Sequence, residues 1–388
     1  MKVCDVVLNS VWYDPRVRKQ IAEYSRNDID VCVVGMECQR YDKNKISMIP
    51  CKAVITKINS SYDGKQNGVL RKLKRELLKS NVVKEAIISE APDVIHANDL
   101  NALLPAYLAK NRIKCYLIYD SHEINIENNY KGKLIPLSRV LLHLLEKTLI
   151  KKVDKMVCVS NAAAEYFKNE YNIEKPMVVT NCSLKSEQFI SEEKNFGFEV
   201  LNHGQFYEGR GYDIMVESIP LLKNYPEIKL AVRGFGKLEE SLRIRASELG
   251  DENFIFYPKV LVNELIPCAS KSKVGVAITE AICINFKLSV SNKLFEYASA
   301  GLPVIMSDIP EHRYLNDKYQ FGIIIPENTP KAFADAVIKL YTDSDFYNKC
   351  AANAKKLSDE VNWENEFGKL IEFEREICRG KINGKERS

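Results

Sequence analysis

The sequence predicts an α/β protein made of two parallel-sheet halves, and three observations lead there. Short apolar runs alternate with helix-length amphipathic stretches from end to end, the pattern of strands joined through helices. The alternation pauses once, at the polar stretch Ser183 to Asn195, and then begins again. At 388 residues the chain is too long for one hydrophobic core and suits two domains.

Taken in order, the first half offers strands at Val3–Leu8, Ile29–Val34, Asp93–Ala97, Cys115–Tyr119, Lys155–Ser160 and Met177–Thr180. Helical periodicity fills the gaps at about 15–26, 68–90, 99–111, 134–152 and 161–171. After the pause come strands at Phe198–Asn202, Lys229–Arg233, Asn253–Tyr257, Val274–Ile278, Pro303–Met306 and Gly322–Ile325. Two Rossmann-like domains joined near 185–196 are the economical arrangement: residues 1–190, residues 191–362, and a closing helix with a charged tail over 363–388. Parallel sheets of this kind gather strand ends and helix N-termini at a crevice where ligands bind. The expected architecture is therefore two such sheets facing an interdomain cleft.

Composition narrows the function classes. With 46% hydrophobic and 28% charged residues, wholesale disorder is excluded. No apolar run reaches membrane-span length, and the start Met1-Lys2-Val3-Cys4-Asp5 lacks a signal-peptide core. The eleven cysteines contain no C-x-x-C pair, which argues for a reducing cytoplasm and against a disulfide framework or structural zinc. Residues 1–190 carry 30 Lys and Arg against 22 Asp and Glu, and the remainder 26 against 30. A basic front and a mildly acidic back imply units with different partners, although solvated helix faces account for the imbalance equally well.

Two polar clusters and a capped helix mark the first half. Asp14 before Pro15 makes a good helix N-cap. Arg16 then falls in the first turn, where the helix dipole repels a cation, so either an anion, an acidic partner or a surface salt bridge explains it. Ile95-His96-Ala97-Asn98-Asp99 and Tyr119-Asp120-Ser121-His122-Glu123 each put imidazole and carboxylates after an apolar strand. Catalysis or ligand orientation is the functional reading for His122 and Glu123, whereas helix capping is the favoured one for Asn98 and Asp99.

The second half carries the stronger signals. Asn202-His203-Gly204-Gln205 leaves a strand for a turn holding Glu208-Gly209-Arg210-Gly211. Glycine lets a ligand approach the backbone there, and Arg210 offers a forked donor to a phosphate. Arg233-Gly234-Phe235-Gly236 lacks the third glycine and the acidic residue of a dinucleotide fingerprint, and no P-loop occurs. In Ser289-Val290-Ser291-Asn292-Lys293-Leu294-Phe295-Glu296, Ser291 or Asn292 opens a short helix that Gly301 closes. Lys293 stands beside the free N–H groups of its first turn, a ready anion site, and Glu296 one turn on could accept two ribose hydroxyls.

Capping explains the Asp28-Ile29-Asp30 and Asp343-Ser344-Asp345 triplets more cheaply than Mg²⁺, so no metal is assigned. Lys131 to Lys155 mixes aliphatic residues with Lys131, Lys133, Arg139, Lys147, Lys151, Lys152 and Lys155. Such a helix can lie on an anionic membrane or pack its apolar face on the sheet beneath, with packing slightly favoured; 65–84, also basic, is open to the same two readings. No basic motif with interleaved aromatics points to nucleic acid.

These residues resemble the retaining glycosyltransferases of the GT-B fold, in the large bacterial "glycosyl transferases group 1" family. The likeness runs through Asp14-x-Arg16-Val17, Asp93 to Ala97, Tyr119 to Glu123, Cys158-Val159-Ser160, Gly204 with Arg210-Gly211, and Arg233 to Gly236. Its most specific part is Asn292-Lys293-Leu294-Phe295-Glu296-Tyr297 with Ala300-Gly301-Leu302-Pro303-Val304. The resemblance implies a UDP- or GDP-sugar donor on the C-terminal half, with Glu296 on the ribose and Arg210 and Lys293 at the diphosphate. Gly204, Gln205, Gly234, Ser291 and Asn292 would line that donor site. It implies contact of His122 with the transferred sugar, an acceptor side containing Asp14, Arg16, His96 and Glu123, and a final helix returning to the first domain.

Two departures qualify the match. The family's first glutamate is replaced by Leu288, and its arginine after the strand-end glycine by Gln205. The expectation is a retaining transfer to a saccharide or lipid-linked acceptor hydroxyl, in surface polysaccharide or glycoconjugate synthesis, without cofactor or metal. The chain is expected in the cytoplasm, peripheral on the membrane. A catalytically silent partner of another transferase and a sugar-nucleotide epimerase are the alternatives.

Overall fold

The computed structural model describes residues 1–8, 11, 14–37, 49–56, 69–124, 136–250 and 252–382. Most of the first loop (Asn9, Ser10, Trp12 and Tyr13) and Lys131 and Lys133 of the basic stretch lie outside the described residues. The chain divides into two compact units. The first comprises Met1–Val179 with the chain from Glu366, and the second Thr180–Asn365.

The first unit holds a seven-stranded parallel sheet in the order β3-β2-β1-β4-β5-β6-β7. Its strands are β1 (Lys2–Val7), β2 (Asp30–Met36), β3 (Lys52–Thr56), β4 (Val94–Asn98), β5 (Tyr116–Ser121), β6 (Lys155–Cys158) and β7 (Met177–Val178). The second unit holds a six-stranded parallel sheet in the order β10-β9-β8-β11-β12-β13. These are β8 (Phe198–Gln205), β9 (Ile228–Phe235), β10 (Phe254–Tyr257), β11 (Val274–Ala277), β12 (Val304–Ser307) and β13 (Gly322–Ile325). Within each sheet the strand order reverses once, between β1 and β4 and between β8 and β11, and ligands of such sheets bind at that reversal beyond the carboxyl ends.

The sequence reading missed β3. It is an edge strand of five residues that begins with an exposed lysine and is only half-buried along most of its length, so it lacks the continuous apolar run of the central strands. The boundary also falls earlier than 190. Residues of the polar stretch dock on the second unit: Phe189 N–H donates to Ser299 O at 3.0 Å, and Gln188 Nε2 donates to Ser358 O at 2.8 Å. Polarity marked a loop there, but these hydrogen bonds assign the loop to a unit.

Alternation along the strands of the second unit sorts its core onto two faces. Val200, Val232, Val276 and Ile305 face one side with Phe333 and Val337. Leu201, Ala231, Ala277 and Met306 face the other, under Leu294, Phe295, Tyr297 and Ala298 of the helix Asn292–Ser299. Those four anchors fix the helix rotation and leave Lys293 and Glu296, three residues apart, together on its partly exposed side.

The last helix, Trp363–Ile382, buries a stripe of Phe367, Leu370, Ile371 and Glu374. From Glu366 onward it belongs to the first unit, where Phe367 meets Tyr24 edge-on at 5.0 Å. Arg375 Nη2 donates to Asn27 O at 2.8 Å. The helix Pro136–Leu149 buries Glu146 and Leu149 but exposes Val140, Leu141 and Leu144 by more than half. Packing of its whole apolar face on the sheet is therefore not what the structure shows.

Candidate active site

In the second unit the predicted donor residues gather at the carboxyl end of β8. The helix Asn292–Ser299 opens at Ser291, whose backbone is extended and whose side chain forms no capping hydrogen bond. Its first turn contains no acidic residue, so nothing there offsets the positive end of the dipole. Lys293 Nζ donates to Asn202 Oδ1 at 2.7 Å and sits 5.3 Å from the centre of the Tyr212 ring. Asn202 Nδ2 donates in turn to Arg210 O at 3.1 Å. The Arg210 guanidinium lies over the Phe286 ring at 4.6 Å.

Burial, and then the nearby Arg210 charge, push the Lys293 pKa down to about 7, against the pull of Glu296. An anion bound beside such a lysine would restore its charge. Among the described residues no carboxylate forms a salt bridge with it. The Tyr212 hydroxyl is buried with no hydrogen-bond partner among the described residues. It stands 3.4 Å from where a Cβ on Gly204 would lie, with Lys293 Cε at 4.0 Å. Gly204, at φ +125°, therefore opens onto a lysine and an unsatisfied phenol.

Gly234 differs. A Cβ there would lie 1.8 Å from the Gly204 carbonyl oxygen, so the close approach of β8 and β9 by itself demands that glycine. Gln205 ends β8 exposed, Asn292 is exposed at the helix start, and Leu288 ends the short helix Ile284–Leu288. Glu296 Oε2 lies 2.7 Å from His203 Nε2. Sequence reasoning assigned no role to Asn202 or His203. Their signal is two adjacent polar side chains following the apolar Val200-Leu201 of β8, both almost fully buried.

The first-unit cluster is an interior network. Arg16, 3% exposed, grips the fully buried Asp120 with two nitrogens: Nη2 to Oδ1 at 2.9 Å and Nε to Oδ2 at 3.0 Å. Its Nη1 donates to Val179 O at 3.1 Å. Burial alone would raise the Asp120 pKa, but Arg16 and then His122 hold the carboxyl well below its ordinary range. Gln20 Nε2 also donates to Asp120 Oδ2, at 2.8 Å. His96, fully buried, lies 3.3 Å from the same oxygen and contacts Tyr24 Oη at 2.9 Å. Tyr24 donates to Glu374 Oε1 at 2.7 Å.

The acceptor-side assignment of Arg16 and His96 therefore gives way to an interior one: a side chain so enclosed by its own unit offers no surface to a saccharide. Asp14 accepts from the N–H groups of Arg16 and Val17 at 3.1 Å, as the N-cap of the helix Pro15–Arg26. Asn98 and Asp99 do not cap by side chain. Asn98 Nδ2 donates to Asp5 and to Val6 O, and Asp99 Oδ1 accepts the His122 N–H at 3.1 Å. His122 keeps some exposure, with Nε2 at 3.0 Å from Asn98 Oδ1. Burial lowers its pKa, but Asp120 and Asp99 outweigh burial and raise it. Glu123 is exposed beside it, its carbonyl accepting from Ser121 Oγ. Asp343 caps the helix Ser344–Glu360 through Phe346 N–H at 2.9 Å. Among the described residues no group of three or more His, Cys, Asp or Glu is placed to hold a metal ion, and no helix is long and apolar enough to cross a membrane.

Residues 15–183 match the family model described as Glycosyltransferase Family 4, and residues 197–343 the one described as Glycosyl transferases group 1. No curated protein matches the chain in sequence. Among solved structures, the sucrose-phosphate synthase of Thermosynechococcus elongatus is similar at a TM-score of 0.76 and 12% identity, over 98% of this chain and 100% of its own. HepE of Anabaena, solved with UDP and glucose, is similar at 0.71 and 14%, over 96% and 99%. The pneumococcal O-GlcNAc transferase GtfA, solved with UDP and GlcNAc, is similar at 0.70 and 11%, over 97% and 99%. At these identities the likeness is one of fold.

Proposed function

The chain belongs to the GT-B glycosyltransferases, with a family 4 domain followed by a group 1 domain, and from that premise we propose that it moves a sugar from a UDP- or GDP-sugar to an acceptor hydroxyl with retention at the anomeric carbon. One observation carries the donor half of this reading. Lys293, pKa lowered to about 7, stands at the uncapped start of the helix Asn292–Ser299, beside Arg210 and one turn before Glu296. That is a place for a diphosphate with a ribose next to it. Similar folds solved with UDP support the same class of donor.

As the glycosidic C–O bond breaks, charge gathers on the departing diphosphate. Lys293, Arg210 and the N–H groups after Ser291 would meet it without reorganising, and one such donor contributes about 2.7–4 kcal/mol. The departing phosphate oxygen takes the acceptor's proton, so the reading asks for no separate base, metal or cofactor. His122, aimed by Asn98 and Asp99, is assigned to the transferred sugar.

The acceptor is assigned to the saccharide class, free or lipid-linked, in surface polysaccharide or glycoconjugate synthesis. The helix Pro136–Leu149 supports a membrane-held version, since it exposes Val140, Leu141 and Leu144 near the exposed Lys147, Lys151 and Lys152. Flotation with phosphatidylglycerol vesicles should carry the protein, and Leu141→Glu with Leu144→Glu should release it. Indifference to lipid charge would remove the membrane from the proposal.

A thermal-shift screen of UDP- and GDP-sugars should find one that raises the melting temperature, since ligand at a hundred times its Kd adds about 2.7 kcal/mol. With that donor, Arg210→Ala should cut turnover about a hundredfold or more. Unchanged transfer kinetics would overturn the assignment. Donor binding with no turnover over a panel of acceptors would favour the silent-partner reading instead.

A further inference from the structure

Lys293 and Glu296 lie three residues apart on one helix, the spacing at which opposite charges pair by default. Here the two are drawn apart by neighbouring residues of β8. Asn202 Oδ1 takes the lysine ammonium at 2.7 Å, and His203 Nε2 meets the glutamate oxygen at 2.7 Å. Resting on the reading of Glu296 as the ribose-binding carboxylate, we propose that His203 is its positioning residue, holding Glu296 away from Lys293 and preset for a sugar diol.

The histidine is itself fixed by Tyr297. Its ring stacks on Tyr297 at 4.4 Å with an interplanar angle of 30°. Its backbone N–H donates to the Tyr297 hydroxyl at 2.9 Å. Tyr297 is fully buried and packs so tightly on β11 that a Cβ on Gly275 would lie 2.2 Å from its ring. The imidazole is 1% exposed, and its Nδ1 is buried without a partner among the described residues. A proton on Nδ1 would be left with no acceptor, whereas a carboxylate can only accept, so the proton belongs on Nε2. His203 thus donates to Glu296 through Nε2. The carboxylate it holds is one quarter exposed.

This arrangement makes the preference for ribose depend on a residue that never touches the ribose. The test compares binding of UDP with 2′-deoxy-UDP, with GDP and 2′-deoxy-GDP run in parallel, by titration calorimetry. Wild type should favour the ribonucleotide by roughly tenfold, the size of one hydrogen bond to a charged group. His203→Phe, which keeps the stacking and removes the donor, should bring the ratio close to one while binding of the deoxynucleotide stays as it was. His203→Gln, whose amide places a donor at a similar reach, should restore the ratio. A purely structural histidine would weaken both nucleotides alike and be indifferent to the Gln rescue. Retention of the wild-type ratio in His203→Phe overturns the positioning role alone. If wild type and Glu296→Ala both ignore the 2′-hydroxyl, the ribose reading of Glu296 fails, and the proposal falls with it.

Discussion

The two units place polar clusters at equivalent ends of equivalent sheets, yet treat their cations in opposite ways. In the first, Arg16 is enclosed and its charge is met by Asp120, with Gln20 and His96 saturating the same carboxylate. In the second, Lys293 is met by a neutral amide and crowded by Arg210, and its pKa falls to about 7. The first cluster is closed by the protein itself. The second holds its lysine against a neutral amide, where a bound anion would restore the charge. Arginine and lysine are well chosen for these parts, since guanidinium stays charged when buried while an ammonium adjusts to what is bound.

The largest effect should come from breaking the closed side. Arg16→Ala leaves Asp120 buried without its partner, and such removals cost about 3–5 kcal/mol. A urea titration should show the midpoint fall accordingly; a shift within error would mean the pair contributes nothing to holding the unit together. The corresponding change on the open side should separate stability from activity. Lys293→Met removes a charge that the fold disfavours, so the urea midpoint should hold or rise, while sugar transfer falls about a hundredfold. Sign and window follow from the depressed pKa. Between about 7 and the ordinary 10.5 the unfolded chain binds the extra proton, so this group makes the fold more stable as pH rises across that range. Nucleotide diphosphate should draw the proton back, with uptake of about one proton at pH 8 in wild type and none in Lys293→Met, read by calorimetry in buffers of different ionisation enthalpy.

How much of this was legible in the sequence follows the same division. Periodicity located the central strands because buried parallel strands are continuous apolar runs, and it lost β3 because an edge strand is not. The place of Lys293 in the first turn of a helix was legible because capping and closing residues lie within a few positions of it. Asp14 was legible as a cap for a similar reason: its partners are two and three residues away. Arg16 was anomalous, but its explanation, Asp120, lies 104 residues on and is brought to it only by the sheet. Asn98 carried the residue type and position of a cap and was claimed instead by Asp5, 93 positions earlier. Local chemistry could be read from neighbours in sequence; a polar residue answered from across the sheet could not.

The smallest expected effect concerns the far end of the closed network. Glu374 occupies an apolar stripe of the last helix, with one carboxylate oxygen taken by Tyr24 and the other buried without a partner among the described residues. Burial pushes its pKa up to about 8, only partly countered by the Tyr24 hydrogen bond, and Asp5 is likewise raised by burial to about 7. A carboxyl whose folded pKa exceeds its unfolded one contributes stability that is complete below the unfolded value, about 4.3, and is lost as pH climbs toward the folded value. The slope for one such group reaches at most about 1.4 kcal/mol per pH unit. Urea midpoints of wild type should therefore decline from pH 5 to pH 8, and Glu374→Gln, which keeps an acceptor for Tyr24 and cannot ionise, should decline less over the same interval. Donor binding measured on that variant should be unchanged, because Glu374 lies in the first unit and is not among the residues assigned to the donor. A parallel decline in both proteins would show that Glu374 is ionised in the fold and that the network is less closed than its geometry describes.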